Sequence, residues 1–174
     1  MKKLKKPTVG MLMAILIFSN VQLYPTYGHE VKNIETQIAH QNKSSKENDT
    51  NEIINIPDIN LKRALNEKLN KNEYEDITKA ELESIEFLYI LWGENVNSIE
   101  GLQYCTNLKY LRIIDNNISD ISPISKLTNL ERIEMMDNNI SDISPISKLT
   151  NLRYIDFGSN NISDISPISK LTNL

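Results

Sequence analysis

The sequence contains very few of the residues on which enzyme and metal chemistry depend. It has one cysteine, Cys105, and two histidines, His29 and His40, among 174 residues. A single cysteine can form neither a disulfide within the chain nor a CxxC zinc pattern. The sequence also has no nucleophile–base pair, glycine-rich phosphate loop or paired-carboxylate motif. We therefore expect a protein that is not an enzyme, with no cofactor, no metal and no small-molecule substrate.

Charge is unevenly distributed along the chain. The formal net charge is −4, but four lysines lie together at the N-terminus: Lys2, Lys3, Lys5 and Lys6. Without them Lys+Arg falls from 19 to 15 while Asp+Glu stays at 23, so the remaining chain carries −8. Since phosphate binding needs a basic surface, we do not expect nucleic acid as a partner.

The first 28 residues have the layout of a secretory signal peptide. The basic segment is followed by an apolar run over Thr8–Phe18, and then by Thr26 and Gly28 as small residues before a cleavage site. The run is too short to span roughly 30 Å of hydrocarbon as a helix. We predict a Sec-type signal peptide over 1–28 and a secreted or cell-wall location. An uncleaved membrane anchor is the alternative.

A polar segment, 29–52, follows the predicted signal peptide. It is rich in Asn, Lys, Glu, Gln and Ser, and its few apolar residues lie between Val31 and Ala39. So little apolar surface cannot offset the entropy lost on folding. We predict a disordered spacer, with a short helical recognition segment over Val31–Ala39 as the alternative.

A repeat of 22 residues dominates the second half of the sequence. The segment ISDISPISKLTNL occurs three times, at Ile118–Leu130, Ile140–Leu152 and Ile162–Leu174. With the residues before each segment it gives the pattern LxxLxLxxNxI, which is the signature of leucine-rich repeats. We predict an α/β repeat solenoid with parallel strands on the concave face. Its convex side is 3₁₀ or irregular, and a small helical cap closes the N-terminus.

Each position of the pattern has a physical role. Leu111 and Ile113 alternate with polar residues, which predicts a short strand with one face inward. The prolines lack an N–H and fit a 3₁₀ convex side better than a strand. The asparagine amides can satisfy backbone groups that are otherwise buried without partners. The predicted asparagine ladder is Asn116, Asn138 and Asn160, and the convex prolines are Pro123, Pro145 and Pro167.

Differences between the repeats are confined to the strand segments 109–115, 131–137 and 153–159. Inward positions change only among apolar residues, whereas outward positions change in chemistry. Because the outward face of these strands is the concave face of a solenoid, we predict a recognition surface there. Neutral drift after duplication is the alternative, with Arg112 and Glu134 merely a surface ion pair. The candidate partner-binding residues are Tyr110, Arg112, Ile114, Arg132, Glu134, Met136, Tyr154 and Asp156.

A helical N-terminal cap is predicted over 53–85. Asp58 is a plausible N-cap of a helix with apolar residues at helical spacing. Thr78 and Glu81 form a capping-box pattern that opens a second short helix. The repeats then occupy 86–174: a first irregular unit, in which Glu94 stands at the ladder position, and three regular units with no C-terminal cap.

Several of these motifs together resemble the internalin family of Gram-positive surface proteins. They are IPDINLKRAL, DITKAELESI, SIEGLQYCTNLKYL and NNISDISPISKLTNL, and the resemblance covers about residues 53–174. It implies a helical cap fused to a curved solenoid, export, frequent cell-wall association and an association with virulence. It also implies binding of a protein partner, a host receptor or a bacterial surface protein, through the concave face. We expect a monomer.

The end of the sequence at Leu174 leaves two other interpretations open. The chain resembles a truncated family member, so a relic of a longer surface protein without independent binding is the main alternative function. A fragment of an enzyme is the weakest one. Four short strands offer a concave patch of roughly 250 Å². A stable interface buries about 800 Å² per partner, so we expect weak binding.

Three further features of the sequence each allow two interpretations. Cys105, placed as the equivalent of Lys126 and Lys148, is expected to be a small hydrophobe beside the core, with a reactive thiol as the alternative. Trp92 is expected to seal the cap against the solenoid, with partner contact as the alternative. The segment Asn70–Asp76 lacks the central glycine and terminal glutamate of a calcium loop, so we do not expect calcium there.

Overall fold

The computed structural model describes residues 51–90 and 92–174. The predicted signal peptide, its anchor alternative and nearly all of the predicted spacer lie outside these residues. No helix within the described residues is long and apolar enough to cross a membrane.

The described chain begins with a small mixed cap. Strand β1 (Ile53–Ile54) pairs antiparallel with strand β2 (Ile77–Thr78), and the helices are α1 (Ile59–Lys68) and α2 (Lys79–Glu83). The capping box at the start of α2 is confirmed: Thr78 accepts a hydrogen bond from the Glu81 N–H, and Glu81 accepts one from the Thr78 N–H. The two-residue strands were not predicted.

Asp58 caps α1, as predicted, and also joins the cap to the first repeat. One carboxylate oxygen accepts from the backbone N–H groups of Asn60 and Leu61 at 2.9 and 3.0 Å. The other accepts from Asn97 and Ser98 at 2.7 and 3.0 Å. Partial burial raises the pKa of Asp58, but the donors from Asn97, Leu61, Ser98 and Asn60 outweigh it, so the pKa lies below its usual value.

Four parallel strands form the sheet that follows. They are β3 (Phe87–Ile90), β4 (Tyr110–Ile113), β5 (Arg132–Glu134) and β6 (Tyr154–Asp156), hydrogen-bonded in sequence order. The chain returns between them through 3₁₀ turns, and the predicted prolines lie in the first turn of three of these. The predicted repeat solenoid is therefore confirmed. The 3₁₀ turns are Leu102–Tyr104, Ser122–Ile124, Ser144–Lys148 and Ser166–Lys170.

The leucines and isoleucines of the pattern form one continuous core along the coils. Burial of this apolar surface between neighbouring coils is the main stabilising contribution in such a fold. In the coil that begins at Leu108 the pattern residues are at most 1% exposed: Leu108, Leu111, Ile113, Ile118, Ile121, Ile124 and Leu127.

The first repeat is irregular because its turn holds one extra residue. Strand β4 is offset by 22 residues from β5 (Tyr110 opposite Arg132) but by 23 from β3 (Phe87 opposite Tyr110). Gly93 has a positive φ like Asp115, which directly precedes the ladder residue Asn116. The extra residue therefore lies before Gly93, and Glu94 stands at the ladder position, where it pairs with Arg63 of α1.

Cys105 lies in the core itself. Its N–H bonds to the Leu102 carbonyl as the Leu127 N–H bonds to that of Ile124, so Cys105 is equivalent to Leu127 and not to Lys126 or Lys148. It is fully buried, and burial raises the pKa of its thiol to about 12. The expectation of a small hydrophobe is confirmed, although the assigned register was one residue wrong.

Candidate functional site

Alternate residues of the four strands project from the concave face in two rows. The pairing register fixes which residues are neighbours, because residues opposite one another on parallel strands share a face. The first row is Phe87, Tyr110, Arg132 and Tyr154, and the second row is Tyr89, Arg112, Glu134 and Asp156.

Exposed aromatic side chains are concentrated on and beside these rows. Phe87 is 43% exposed, Tyr89 48% and Tyr154 42%. Phe87 and Tyr89 were not predicted as concave residues because their repeat does not follow the regular 22-residue spacing. Trp92, just after β3, is 70% exposed, so the expectation that it seals the cap against the solenoid was wrong. Large apolar groups left in water are a mark of interaction surfaces.

The aromatic rings and Arg132 contact one another across the strands. Tyr89 and Tyr110 meet edge to face with ring centroids 4.9 Å apart. The guanidinium of Arg132 lies 4.0 Å from the centroid of the Tyr154 ring and 5.2 Å from that of Tyr110. Such contacts restrict the side chains before any partner binds.

Glu134 lies at the centre of the surface and is only 6% exposed. Its Oε1 accepts from the Tyr110 hydroxyl at 2.6 Å and from Arg132 Nε at 2.5 Å, and its Oε2 lies 3.3 Å from Arg112 Nε. Burial raises the pKa of Glu134, but the hydrogen bonds from Tyr110 and Arg132 and the two positive charges outweigh it and lower the pKa overall. Burial and the bond to Glu134 raise the pKa of Tyr110.

The remaining candidate residues differ in accessibility. Ile114 is 6% exposed, whereas Met136 is half-buried. Asp156 is half-buried, and its Oδ1 accepts from the Gly158 N–H at 3.0 Å. The exposed candidates are thus Arg132 and Tyr154, with Tyr110 and Arg112 partly accessible.

The three asparagines of the pattern link each coil to the one before it. Their Oδ1 atoms accept from the backbone N–H groups of Val96, Ile118 and Ile140 at 2.9 to 3.0 Å. Their Nδ2 groups donate to carbonyls near the end of the strands; that of Asn138, for example, reaches Ile113 at 2.9 Å and Met136 at 3.0 Å. Buried polar backbone groups thereby gain partners. The acceptors are Asn116, Asn138 and Asn160, respectively.

Another set of asparagines, distinct from the ladder, also links neighbouring coils and was not predicted from the sequence. The Nδ2 group of Asn129 donates to the Thr106 carbonyl of the preceding coil at 2.9 Å, and that of Asn151 donates to Thr128 at 2.7 Å. The signal was present, because these asparagines recur in the segment LTNL every 22 residues. The full set is Asn107, Asn129, Asn151 and Asn173.

Metal-ligating side chains are not clustered in the described residues. Across 51–90 and 92–174, no group of three or more His, Cys, Asp or Glu side chains is placed to hold a metal ion.

Comparisons with known proteins identify the fold class. A family model of leucine-rich repeats in two copies matches residues 106–148, and a second leucine-rich-repeat model matches 148–165. A comparison with curated proteins finds no match. The chain is a leucine-rich-repeat protein, a fold that acts as a protein–protein interaction module and is typically a non-enzymatic scaffold.

Solved structures narrow this class. The crystal structure of an internalin of Listeria monocytogenes, InlF, is 43% identical, with a TM-score of 0.65, and covers 68% of this chain. The functional domain of InlJ from the same organism has a TM-score of 0.56 at 22% identity; the match covers 64% of this chain and 24% of that one, and shows the fold alone. This chain is an internalin-like leucine-rich-repeat protein. It spans about a third, 35%, of the InlF chain that it matches.

Proposed function

We propose that this chain is an exported binding module that holds a protein partner, a host receptor or a bacterial surface protein, against its concave sheet. The observation that carries the proposal is the contrast in exposure and sequence along each coil. Residues that differ between repeats lie on the strands, where aromatic and charged groups reach solvent, and the identical segments form the core and the convex turns. A partner would meet a surface rich in Tyr, Phe and Arg, the residues that dominate binding energies.

The proposed surface extends toward the N-terminal end of the sheet. Phe87, Tyr89 and Trp92 add exposed aromatic area beside the candidate residues found in the regular repeats. Phe87 and Tyr89 lie on β3, one of the four strands already counted in the patch of roughly 250 Å², so only Trp92 lies beyond it. The patch stays short of a standard interface of about 800 Å² per partner, and we expect weak binding with the aromatic residues contributing most.

The export component of the proposal rests on residues 1–28 alone. Basic, apolar and small residues follow one another there in the order of a signal peptide. N-terminal sequencing of the protein from culture medium tests it. A mature chain that begins at His29 supports export with cleavage, whereas full-length chain confined to the cell contradicts it.

A position-specific cross-linking experiment tests the concave site. The photoreactive residue p-benzoylphenylalanine is placed at Tyr154 on the concave face, and at the exposed Lys148 on the convex side as a matched control. Each protein is irradiated with extracellular proteins of candidate host cells and of bacteria.

The proposal predicts one defined partner band from position 154 that is absent from position 148. The band should also disappear when Phe87 and Tyr89 are replaced by alanine in the protein that carries the cross-linker. The same band from both positions, or one that survives the alanine replacements, would contradict concave binding.

A further inference from the structure

We propose that Arg112, Glu134 and Arg132 form a binding site for a carboxylate side chain of the protein partner. In this arginine–glutamate cluster the covered Glu134 orients two guanidinium groups. Their outer edges then bind an aspartate or glutamate of the partner. This inference rests on the proposed function and names the partner chemistry at the centre of the same surface.

Glu134 is a positioning residue rather than a contact residue. Its side chain is 8% exposed, whereas those of Arg112 and Arg132 are 35% and 44% exposed. Both arginines approach it through Nε, at 3.3 Å from Arg112 and 2.5 Å from Arg132. The carboxylate thus contacts both arginines and is itself nearly inaccessible to a partner.

The plane of the Arg132 guanidinium is fixed by three contacts. Its Nε bonds to Glu134, and its guanidinium carbon lies over the Tyr154 ring, 4.0 Å from the ring centroid. The Tyr110 ring lies 5.2 Å from the guanidinium carbon, and its hydroxyl is itself held by Glu134. A guanidinium held in this way has lost side-chain freedom before binding, which lowers the entropic cost of recognition.

The outer edges of both guanidiniums remain open for a ligand. No hydrogen bond between residues of the described chain engages Nη1 or Nη2 of either arginine, and the Nε of Arg112, although buried, makes an ion pair without a well-oriented hydrogen bond. A guanidinium edge presents parallel N–H donors that match the two oxygens of a carboxylate.

The accessible groups at the centre of the surface are mainly the two arginines. The formal charges of Arg112, Arg132, Glu134 and Asp156 sum to zero, but the Glu134 side chain is 8% exposed whereas those of Arg112 and Arg132 are 35% and 44% exposed. One oxygen of Asp156 already accepts from the Gly158 N–H. A partner carboxylate at this place therefore meets the donor edges of the arginines rather than the Glu134 carboxylate.

The test uses an acetylated, amidated hexaglutamate peptide as the probe and hexaglutamine as its uncharged counterpart. The chain without its predicted signal peptide is labelled with ¹⁵N and titrated with each peptide. The arginine Nε–Hε signals are followed by NMR. Arg132→Gln removes one guanidinium of the cluster. The matched control is Arg153→Gln, which removes the same charge from an exposed residue beside β6 and outside the cluster.

Hexaglutamate should shift the signals of Arg112 and Arg132, and hexaglutamine should not. Arg132→Gln should weaken hexaglutamate binding about tenfold, and Arg132→Lys nearly as much, because lysine keeps the charge but loses the planar pair of donors. Arg153→Gln should change it less than about twofold, since a surface charge outside the site contributes little. Melting curves establish whether each variant folds. If Arg132→Gln does not fold, the hexaglutamate affinity of Arg132→Lys tests the proposal.

Glu134→Gln separates orientation from net charge. It makes the cluster more positive, so tighter hexaglutamate binding would result if charge alone were responsible. The positioning role of Glu134 predicts weaker binding instead.

The proposal would be overturned if hexaglutamate left the arginine signals unshifted, or if Arg153→Gln weakened hexaglutamate binding as much as Arg132→Gln. It would also be overturned if Arg132→Lys left the binding unchanged or Glu134→Gln made it tighter. So would a heparin hexasaccharide that binds this cluster while hexaglutamate does not, because it would assign the site to sulfated sugars. If hexaglutamate fails but the partner cross-linked at position 154 is retained, the proposed function stands and the carboxylate site falls.

Discussion

The outward strand positions and the segments that join the strands differ in sequence variation and in exposure. The joining segments are identical in three repeats. In the first two their isoleucines and leucines fill the core and are at most 3% exposed, whereas Ile165 of the last segment is 65% exposed. The outward strand positions differ between repeats and reach solvent at residues such as Tyr154. The comparison teaches that the outward strand positions encode the surface, whereas the inward strand positions and the joining segments encode the scaffold.

The largest effect is expected on the scaffold side. Asn138→Ala removes the acceptor of the Ile118 N–H and the donor to the Ile113 and Met136 carbonyls, leaving buried groups without partners. We expect a loss of about 1–3 kcal/mol in the free energy of unfolding, measured by urea denaturation. Asn139→Ala is the control, because that neighbouring side chain is exposed. Equal stability of the two variants would break the comparison.

An intermediate effect is expected at Glu134, where surface and scaffold meet. Because its folded-state pKa lies below the usual value, its charge stabilises the fold above the ordinary carboxyl range, and this contribution is lost as the pH falls through the folded pKa. At pH 7, Glu134→Gln should lower the free energy of unfolding by about 1 kcal/mol. The difference from the unaltered protein should shrink toward pH 3.

Carboxylates elsewhere, including Asp58 and Glu81, also have lowered pKa values, but they are common to both proteins and cancel in this difference. A gap between the two proteins that stays constant from pH 7 to pH 3 would show that Glu134 acts through its shape rather than its charge.

The smallest effect on stability is expected at the exposed strand positions. Tyr154→Ala removes a ring that is 42% exposed and its stacking with Arg132. We expect the free energy of unfolding to change by no more than about 0.5 kcal/mol, within the usual range for surface substitutions. Thermal or urea denaturation measures it. A loss of stability as large as that of Asn138→Ala would show that Tyr154 belongs to the scaffold, and would contradict the division between scaffold and surface.

The regular part of the fold could be predicted because its cause is periodic. A spacing of 22 residues fixes which leucines face inward, where the prolines fall and which side of each strand is concave, and the structure agrees at each of these. The start of the repeats could not be read in the same way. One extra residue between Ile90 and Val96 shifts the register from 23 to 22, and the spacing alone does not reveal where it lies. The assignment of Phe87 and Tyr89 to the concave face depended on it.

The centre of the surface shows another limit of the sequence. Alternation correctly assigns Glu134 to the outward side of β5, opposite Arg112. It does not show that Tyr110 and Arg132 fold over the carboxylate and bury it, since that depends on side-chain directions across three strands. The prediction for Trp92 was wrong in the opposite direction. A large apolar residue beside a cap predicts burial, yet the Trp92 side chain is 70% exposed.

The most direct test of this division measures stability and binding on the same samples. Asn138→Ala and the triple variant Phe87→Ala, Tyr89→Ala, Tyr154→Ala are each assayed for the free energy of unfolding and for affinity to the partner cross-linked at position 154, at a temperature where both remain folded. The account predicts that Asn138→Ala loses stability and keeps the affinity to within about threefold, whereas the triple variant keeps most of its stability and binds at least about tenfold more weakly. A triple variant that binds as the unaltered protein does would contradict the concave sheet as the recognition surface.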